Sequence, residues 1–296
     1  MLTAADGQIL LDVFHIGLLA LAVGLATYFF IRKSNPLLRW HEHGNVWTAP
    51  FGFHELRIAL LLIAMLYGLL YVTVERVSVV EAVPTGEAEE VQEESVGQQV
   101  AVIVSGIVFH AFFAGAILAY FGALRGFNLF EMFGLRRVLG VKLLTRSLIG
   151  FIVGFLFAMV AAIVWNLLLR HGFSEEAELQ ESVKMLAETK SWLLKATVVF
   201  AAVIAAPISE EIIFRGFLYP ALKRYSDRFF AAVVTSLIFA VIHFNTASVL
   251  PLFALAMVIV VAYELTGSLL VPIGIHAIFN LFQTTMVFVL GLPSSQ

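Results

Sequence analysis

Two adjacent carboxylates and a guanidinium sit in an otherwise apolar run, Pro207-Ile208-Ser209-Glu210-Glu211-Ile212-Ile213-Phe214-Arg215. The residues before it, 196–206, and after it, 216–222, carry no charge. A charge at membrane depth costs at least ~2.5 kcal/mol on the mildest insertion scale, so three charges this close together ask for a role. Helical spacing divides them. Residues four apart share a face, which pairs Glu211 with Arg215. Glu210 is turned about 100° from Glu211 and has no partner at that spacing. Glu211–Arg215 therefore reads as an internal ion pair. Glu210 reads as a free carboxylate, able to take a proton from water. Pro207 donates no backbone hydrogen bond and loosens the turn before the pair. The competing reading is an interfacial loop with all three charges solvated.

Two further polar sets follow. Phe239-Ala240-Val241-Ile242-His243 places a ring one turn before a histidine, and His276-Ala277-Ile278-Phe279-Asn280 places a histidine and an amide on one face. The turn between the Pro207–Arg215 run and the Phe239–His243 run centres near 225–228. Glu210 lies about 16 residues before it and His243 about 16 after it, so each is ~24 Å along its helix at ~1.5 Å per residue. In an antiparallel hairpin the two share a level. A histidine orients water or binds a metal. A second histidine and an amide can donate to a developing oxyanion. One carboxylate, two histidines and an amide on three helices form an active-site inventory, against which stands a buried polar network that only ties helices together. His15, His110 and Asn166 are isolated and read as helix–helix hydrogen-bonding residues.

The elements that must position these groups are membrane spans. The chain has 296 residues, 60% hydrophobic and 13% charged, with mean hydropathy +0.94, against roughly 25% charged in soluble domains. This is an all-α, polytopic integral membrane protein with a membrane-embedded polar cavity. Eight spans are predicted at 13–31, 58–74, within 95–124, and at 147–169, 192–215, 229–244, 250–263 and 269–290. Most of them reach or approach the ~20 residues a bilayer requires, and 250–263 is the shortest. Residues 1–146 hold spans one to three with an acidic loop at 75–99, and 147–296 hold spans four to eight. Arg32, Lys33 and Arg39, then Arg125, Arg136, Arg137, Lys142 and Arg146, then Lys223, Arg224 and Arg228 fall on one side, assigned to the cytoplasm. The acidic loop reads as loosely ordered, and 170–191 reads as a second acidic loop or a surface helix through Phe173, Leu179, Val183, Leu186 and Trp192. There is no cysteine, which removes disulfides, thiolate ligands and Cys nucleophiles. No cleavable leader pattern is expected. No basic, aromatic-interleaved surface suggests a nucleic-acid partner, and no 20- to 50-residue repeat is visible.

The three sets, Glu210-Glu211-x-x-x-Arg215, Phe239-x-x-x-His243 and His276-x-x-x-Asn280, resemble the motifs of the CPBP intramembrane proteases. That family holds the CaaX prenyl endoproteases of the Ras-converting type and the bacteriocin-processing or self-immunity (Abi) proteins. The context is similar too, with Arg215-Gly216-Phe217-Leu218-Tyr219 after the first motif and Gly267-Ser268-Leu269-Leu270-Val271-Pro272 before the third. The resemblance covers 206–281. It implies an eight-helix membrane endopeptidase in which Glu210 and His243 activate water, His276 and Asn280 stabilise the oxyanion, and Glu211, Arg215 and Phe239 support the site. The family has been described both as metalloproteases and as metal-independent glutamate proteases. No zincin signature is present, which favours the latter. Glu210, His243 and His276 would be the ligands if zinc is held. The implied partners are the lipid bilayer and a peptide or lipidated protein, such as a prenylated CaaX chain cut after its modified cysteine. The competing class is a non-catalytic scaffold, self-immunity or peptide-export protein. A small-solute transporter is disfavoured because no inverted repeat is visible. The location would be the cell membrane of a prokaryote or the endoplasmic reticulum of a eukaryote.

Overall fold

The computed structural model describes residues 4–34, 44–82, 95–172, 185–187 and 189–290. The middle of the acidic loop, most of 173–191, Arg39 and the side chains of Arg32 and Lys33 lie outside the described residues. Those described form helices α1 (Ala4–Ser34), α2 (Phe53–Ala82), α3 (Val96–Ala119), the short α4 (Leu129–Met132), α5 (Gly140–Gly172), α6 (Trp192–Tyr225), α7 (Arg228–Val241), α8 (Val249–Thr266) and α9 (Leu270–Leu290). No strand occurs among them. Seven helices are long and apolar enough to cross a membrane, and the chain is an integral, multi-pass membrane protein.

The sequence expected 250–263 to be the short span, but the short helix is α7. Its 14 residues reach only ~21 Å at ~1.5 Å each, less than the ~30 Å hydrocarbon core. Two local signals bound it. The Asp227 side chain accepts the Phe230 N–H at its start. At its end Phe244 turns left-handed, with φ of 50°. Instead of facing lipid, α7 buries Ala231, Ala232, Val234, Thr235, Ser236 and 238–241 inside the bundle, with α1 and α8 packed against it. The predicted 250–263 span is the full 18-residue α8, closed by Gly267 in the left-handed region (φ 61°), a conformation glycine adopts without cost.

α6 is the axis of the fold. From Ser209 to Leu222 it is almost wholly buried, with α3, α7, α8 and α9 around it. It is not a regular α-helix. Two stretches, Ala201–Ala205 and Ile212–Leu218, run as π-helix, in which the Ala206 N–H reaches Ala201 O and the Tyr219 N–H reaches Phe214 O. Each is followed within two residues by a proline, Pro207 or Pro220. A proline lacks the N–H that would reach the carbonyl four residues back, and its ring crowds that carbonyl. The widened turn ahead of each proline relieves both problems. The loosening expected before Glu210 thus takes the form of a π turn, and a second one follows Glu211. Outside this axis, α5 makes the most extensive helix pairing, against α8 and α9. Its contacts with them are close at glycines. A side-chain carbon added at Gly150 would run into Ile275, and one at Gly274 into Ser147.

The loop charges are less solvated than the sequence suggested. Lys223 is fully buried, with Nζ 2.5 Å from Glu264 Oε1, which also accepts from Tyr219 Oη at 2.7 Å. Lys223 therefore ties α6 to α8. Arg125 pairs with the buried Glu55 of α2, which accepts as well from Tyr120 Oη and the Gly52 N–H. The connections at this end interlock. Asn45 bonds the Glu264 and Leu265 carbonyls, Arg137 bonds Asn45 O, and the Leu269 N–H bonds Phe133 O.

Candidate active site

Glu210 and Glu211 lie on the α-helical turn Ala206–Glu211, between the two π stretches of α6. Their surroundings differ as the helical spacing required. Glu211 is fully buried, and its Oε1 accepts from Arg215 Nη1 at 2.9 Å and faces His276 Nδ1 at 2.9 Å. Arg215, 1% exposed, also donates to Ala256 O of α8 at 3.3 Å and lies 4.7 Å from the centre of the Phe239 ring. Glu211 and Arg215 are thus a matched buried pair. One formal negative charge, on Glu210, is left over. Glu210 Oε2 is buried without a hydrogen-bond partner. The nearest histidine atom recorded beside it, His276 Nε2, is 3.9 Å away, beyond a hydrogen bond. Leaving a buried acceptor unpaired costs ~1–3 kcal/mol or more when it is charged. Glu211 Oε2 and Arg215 Nε are buried without a partner as well, so what sets Glu210 apart is that it lacks the bonds to Arg215 and His276 that hold Glu211.

The histidines converge on the same place from two other elements. Phe239 is the common neighbour, its ring centre 4.8 Å from that of His243, 5.7 Å from that of His276 and 5.3 Å from that of Phe214. His243 sits just past the end of α7, and its Nδ1 lies 2.7 Å from Phe239 O. A carbonyl only accepts, so Nδ1 carries the proton and Nε2 is left with its lone pair. His276 obeys the same rule, with the Glu211 carboxylate on Nδ1 and Nε2 turned to Glu210. His276 links the other two, 3.9 Å from Glu210 and sharing the Phe239 ring with His243. The matched depth of Glu210 and His243 therefore has a geometric counterpart in one cluster. Asn280, one turn beyond His276, donates Nδ2–H to Ala202 O at 2.7 Å, a carbonyl of the first π stretch. The amide keeps a second N–H.

Among the described residues, no three His, Asp or Glu side chains are grouped to hold a metal ion. The chemistry considered below is that of the side chains.

Of the three polar residues read as isolated, only His15 bonds across helices, through Nε2 to Tyr67 Oη at 3.1 Å. His110 and Asn166 bond carbonyls of their own helices, Gly106 O and Ala162 O. With no water in the apolar phase, the carbonyl one turn back is the nearest partner. His110 nonetheless stands on α3, which packs against the turn of α6 that carries Glu210. Its position follows from register. α3 runs parallel to α6, with Ile103 packed beside Val198 and Phe121 against Phe217, which sets His110 beside the first π stretch. An ionisable side chain inside a span was the available signal, but single-helix spacing could not connect it to residues a hundred positions away.

Two comparisons with known proteins bear on this cluster. Residues 192–282 match the family described as type II CAAX prenyl endopeptidase, Rce1-like. The protein named "Putative membrane peptidase YdiL" from Bacillus subtilis (strain 168) is 35% identical over 83 residues, which are 28% of this chain and 34% of that relative. The chain thus spans about a third of the length of the curated relative it matches. No solved structure matches. The matched segment runs from the first turn of α6 into α9 and holds every residue of the cluster. Residues 192–282 of this membrane protein are thus similar to the Rce1-like family of membrane peptidases.

Proposed function

We propose that the chain is a membrane endopeptidase that cleaves a peptide bond in a membrane-associated polypeptide, with Glu210 as the proton acceptor for the attacking water. The observation that carries this reading is the buried, unpartnered Glu210 Oε2 beside two histidines whose Nδ1 atoms are already committed. A carboxylate without a partner is a better base than one held by a guanidinium. The water gives its proton to Glu210 as its oxygen bonds the scissile carbonyl carbon, and His243 Nε2 orients it. The carbonyl becomes an oxyanion. The second N–H of Asn280 is a donor for it, and so is His276 when Nε2 carries a proton. The proton on Glu210 then passes to the departing amine as the C–N bond breaks. Glu211 and Arg215 hold His276 in place. No metal is needed for these steps. The Rce1-like match supports a polypeptide substrate ending in a prenylated cysteine motif, presented from the bilayer.

The test uses purified protein in nanodiscs and a panel of quenched peptides, with and without a farnesylated cysteine, with products identified by mass spectrometry. Wild-type protein should cut at least one lipidated peptide. Glu210→Gln and His243→Gln should leave it intact while keeping the wild-type melting profile. Equal turnover by Glu210→Gln, or no cleavage of any peptide by wild type, would reject the reading.

A further inference from the structure

His243 differs from the other members of the cluster in what carries it. Glu210, Glu211, Arg215, His276 and Asn280 stand on long helices. His243 stands on the bridge from Ile242 to Ser248 between α7 and α8, where the backbone is only loosely helical. Its own N–H reaches Ala240 O at a long 3.4 Å. The next residue, Phe244, takes φ of 50°, a left-handed conformation that a bulky side chain adopts only when its surroundings impose it. The Asn245 side chain then caps the turn through the Ser248 N–H at 2.9 Å.

What imposes that path comes from outside the bridge. Trp165, on α5, donates its indole N–H to Thr246 O at 2.6 Å. Thr246 is buried, and the bridge packs against α5. Trp165 lies before the Rce1-like segment, so no motif within 192–282 names it. The bond is short, and an indole nitrogen only donates. It both satisfies a buried carbonyl and fixes the backbone three residues from His243. The His243 ring is itself tied to Phe239 O, so a shift of the bridge would pull on that bond and tilt Nε2.

We propose that Trp165 is a positioning residue for His243, its indole N–H pinning the bridge that holds the imidazole against Phe239 and toward Glu210. The proposal rests on the reading of His243 as part of a peptidase site for its kinetic consequence, but not for its structural one. A misplacement near 1 Å costs on the order of 100-fold in rate.

The experiment uses full-length protein in nanodiscs with 13C-labelled histidine. The His243 ring signal is assigned by its loss in His243→Gln, and that of His15 by its loss in His15→Gln. Trp165→Phe removes the donor and keeps an aromatic ring. Incorporating 3-benzothienylalanine at 165 keeps the bicycle and replaces N–H by sulfur, and stands in if the Phe variant does not fold. Either change should shift or broaden the His243 signal and leave His15, on α1, where it was. On the peptide of the panel that wild type cleaves fastest, kcat should fall ten- to a hundredfold with KM within twofold. An unchanged His243 signal overturns the proposal whatever the activity. Equal movement of His243 and His15 also overturns it, because that would report general loosening. The spectra need no substrate, so a chain that cleaves no peptide would defeat the peptidase reading and still test Trp165.

Discussion

Exchanging the two neighbouring glutamates separates the base from the pair, and the expected outcomes are opposite in kind. In Glu211→Gln the amide oxygen still accepts from Arg215 and His276, so the contacts at 2.9 Å survive in form. The charge does not. Arg215, 1% exposed, would keep only neutral acceptors, that amide and Ala256 O, and no carboxylate bonded to it. Removing one partner of a buried pair costs ~3–5 kcal/mol. At roughly 2–4 °C per kcal/mol for a chain of this size, the melting temperature should fall on the order of 10 °C. Glu210→Gln takes away a charge that has no partner, so the change in stability should stay within ~1 kcal/mol and favour the variant if anything. Its turnover should vanish. Adding Arg215→Met to Glu211→Gln removes the stranded cation and should recover part of the loss, whereas adding it to Glu210→Gln leaves Glu211 stranded and should destabilise. Thermal unfolding in detergent and peptide cleavage for all five proteins are the assays. If Glu210→Gln is the unstable variant and Glu211→Gln is folded but inactive, the two carboxylates have been assigned the wrong way round.

The remaining predictions concern the rest of the framework. Purified protein should carry no stoichiometric zinc and keep its activity in a chelator. One zinc per chain by elemental analysis, lost with activity and restored by adding it back, would contradict this. Lys223→Met should destabilise by ~3–5 kcal/mol through the stranded Glu264, and Lys223→Met with Glu264→Gln should recover most of it. If Lys223 is instead a solvated loop charge, the single change will leave the melting temperature in place. Gly274→Ala should cost ~1–3 kcal/mol by forcing α9 off Ser147, and adding Ser147→Gly should restore both stability and cleavage. A lone Gly274→Ala variant that melts like wild type would show that α5 and α9 are less tightly seated than the Gly274–Ser147 approach requires.

How much of this could be read from the sequence depended on the range of each interaction. Glu211 and Arg215 are one helical turn apart, so their pairing followed from spacing alone. The common depth of Glu210 and His243 followed from counting outward from one shared turn. Position along a helix was legible in this way because the rise per residue is fixed. Partners on unconnected helices were not. Nothing in the spacing joined His276 to Glu211 on one ring nitrogen, or Asn280 to a carbonyl freed by a π turn. Lys223 shows the converse failure. A lysine beside Arg224 near a turn looks solvated, and only the approach of Glu264 from α8, with Tyr219 beside it, makes burial tolerable. The shortness of α7 was hidden because hydropathy continues through Ile242 and Phe244, while the backbone has already turned.

The boundary at residue 192 has a consequence for how such proteins are inherited. The segment that matches the family holds the carboxylate–histidine cluster, yet its helices α8 and α9 and the bridge before α8 lean on α5, which lies outside it, through glycine contacts and the Trp165 bond. A fragment starting at α6 would meet lipid on faces shaped for a tight protein neighbour, with the Thr246 carbonyl left in hydrocarbon. The unit that is recognisable by sequence is therefore smaller than the unit that can fold. A lineage could vary the front half of this chain widely, but it could discard α5 only by evolving a substitute for it.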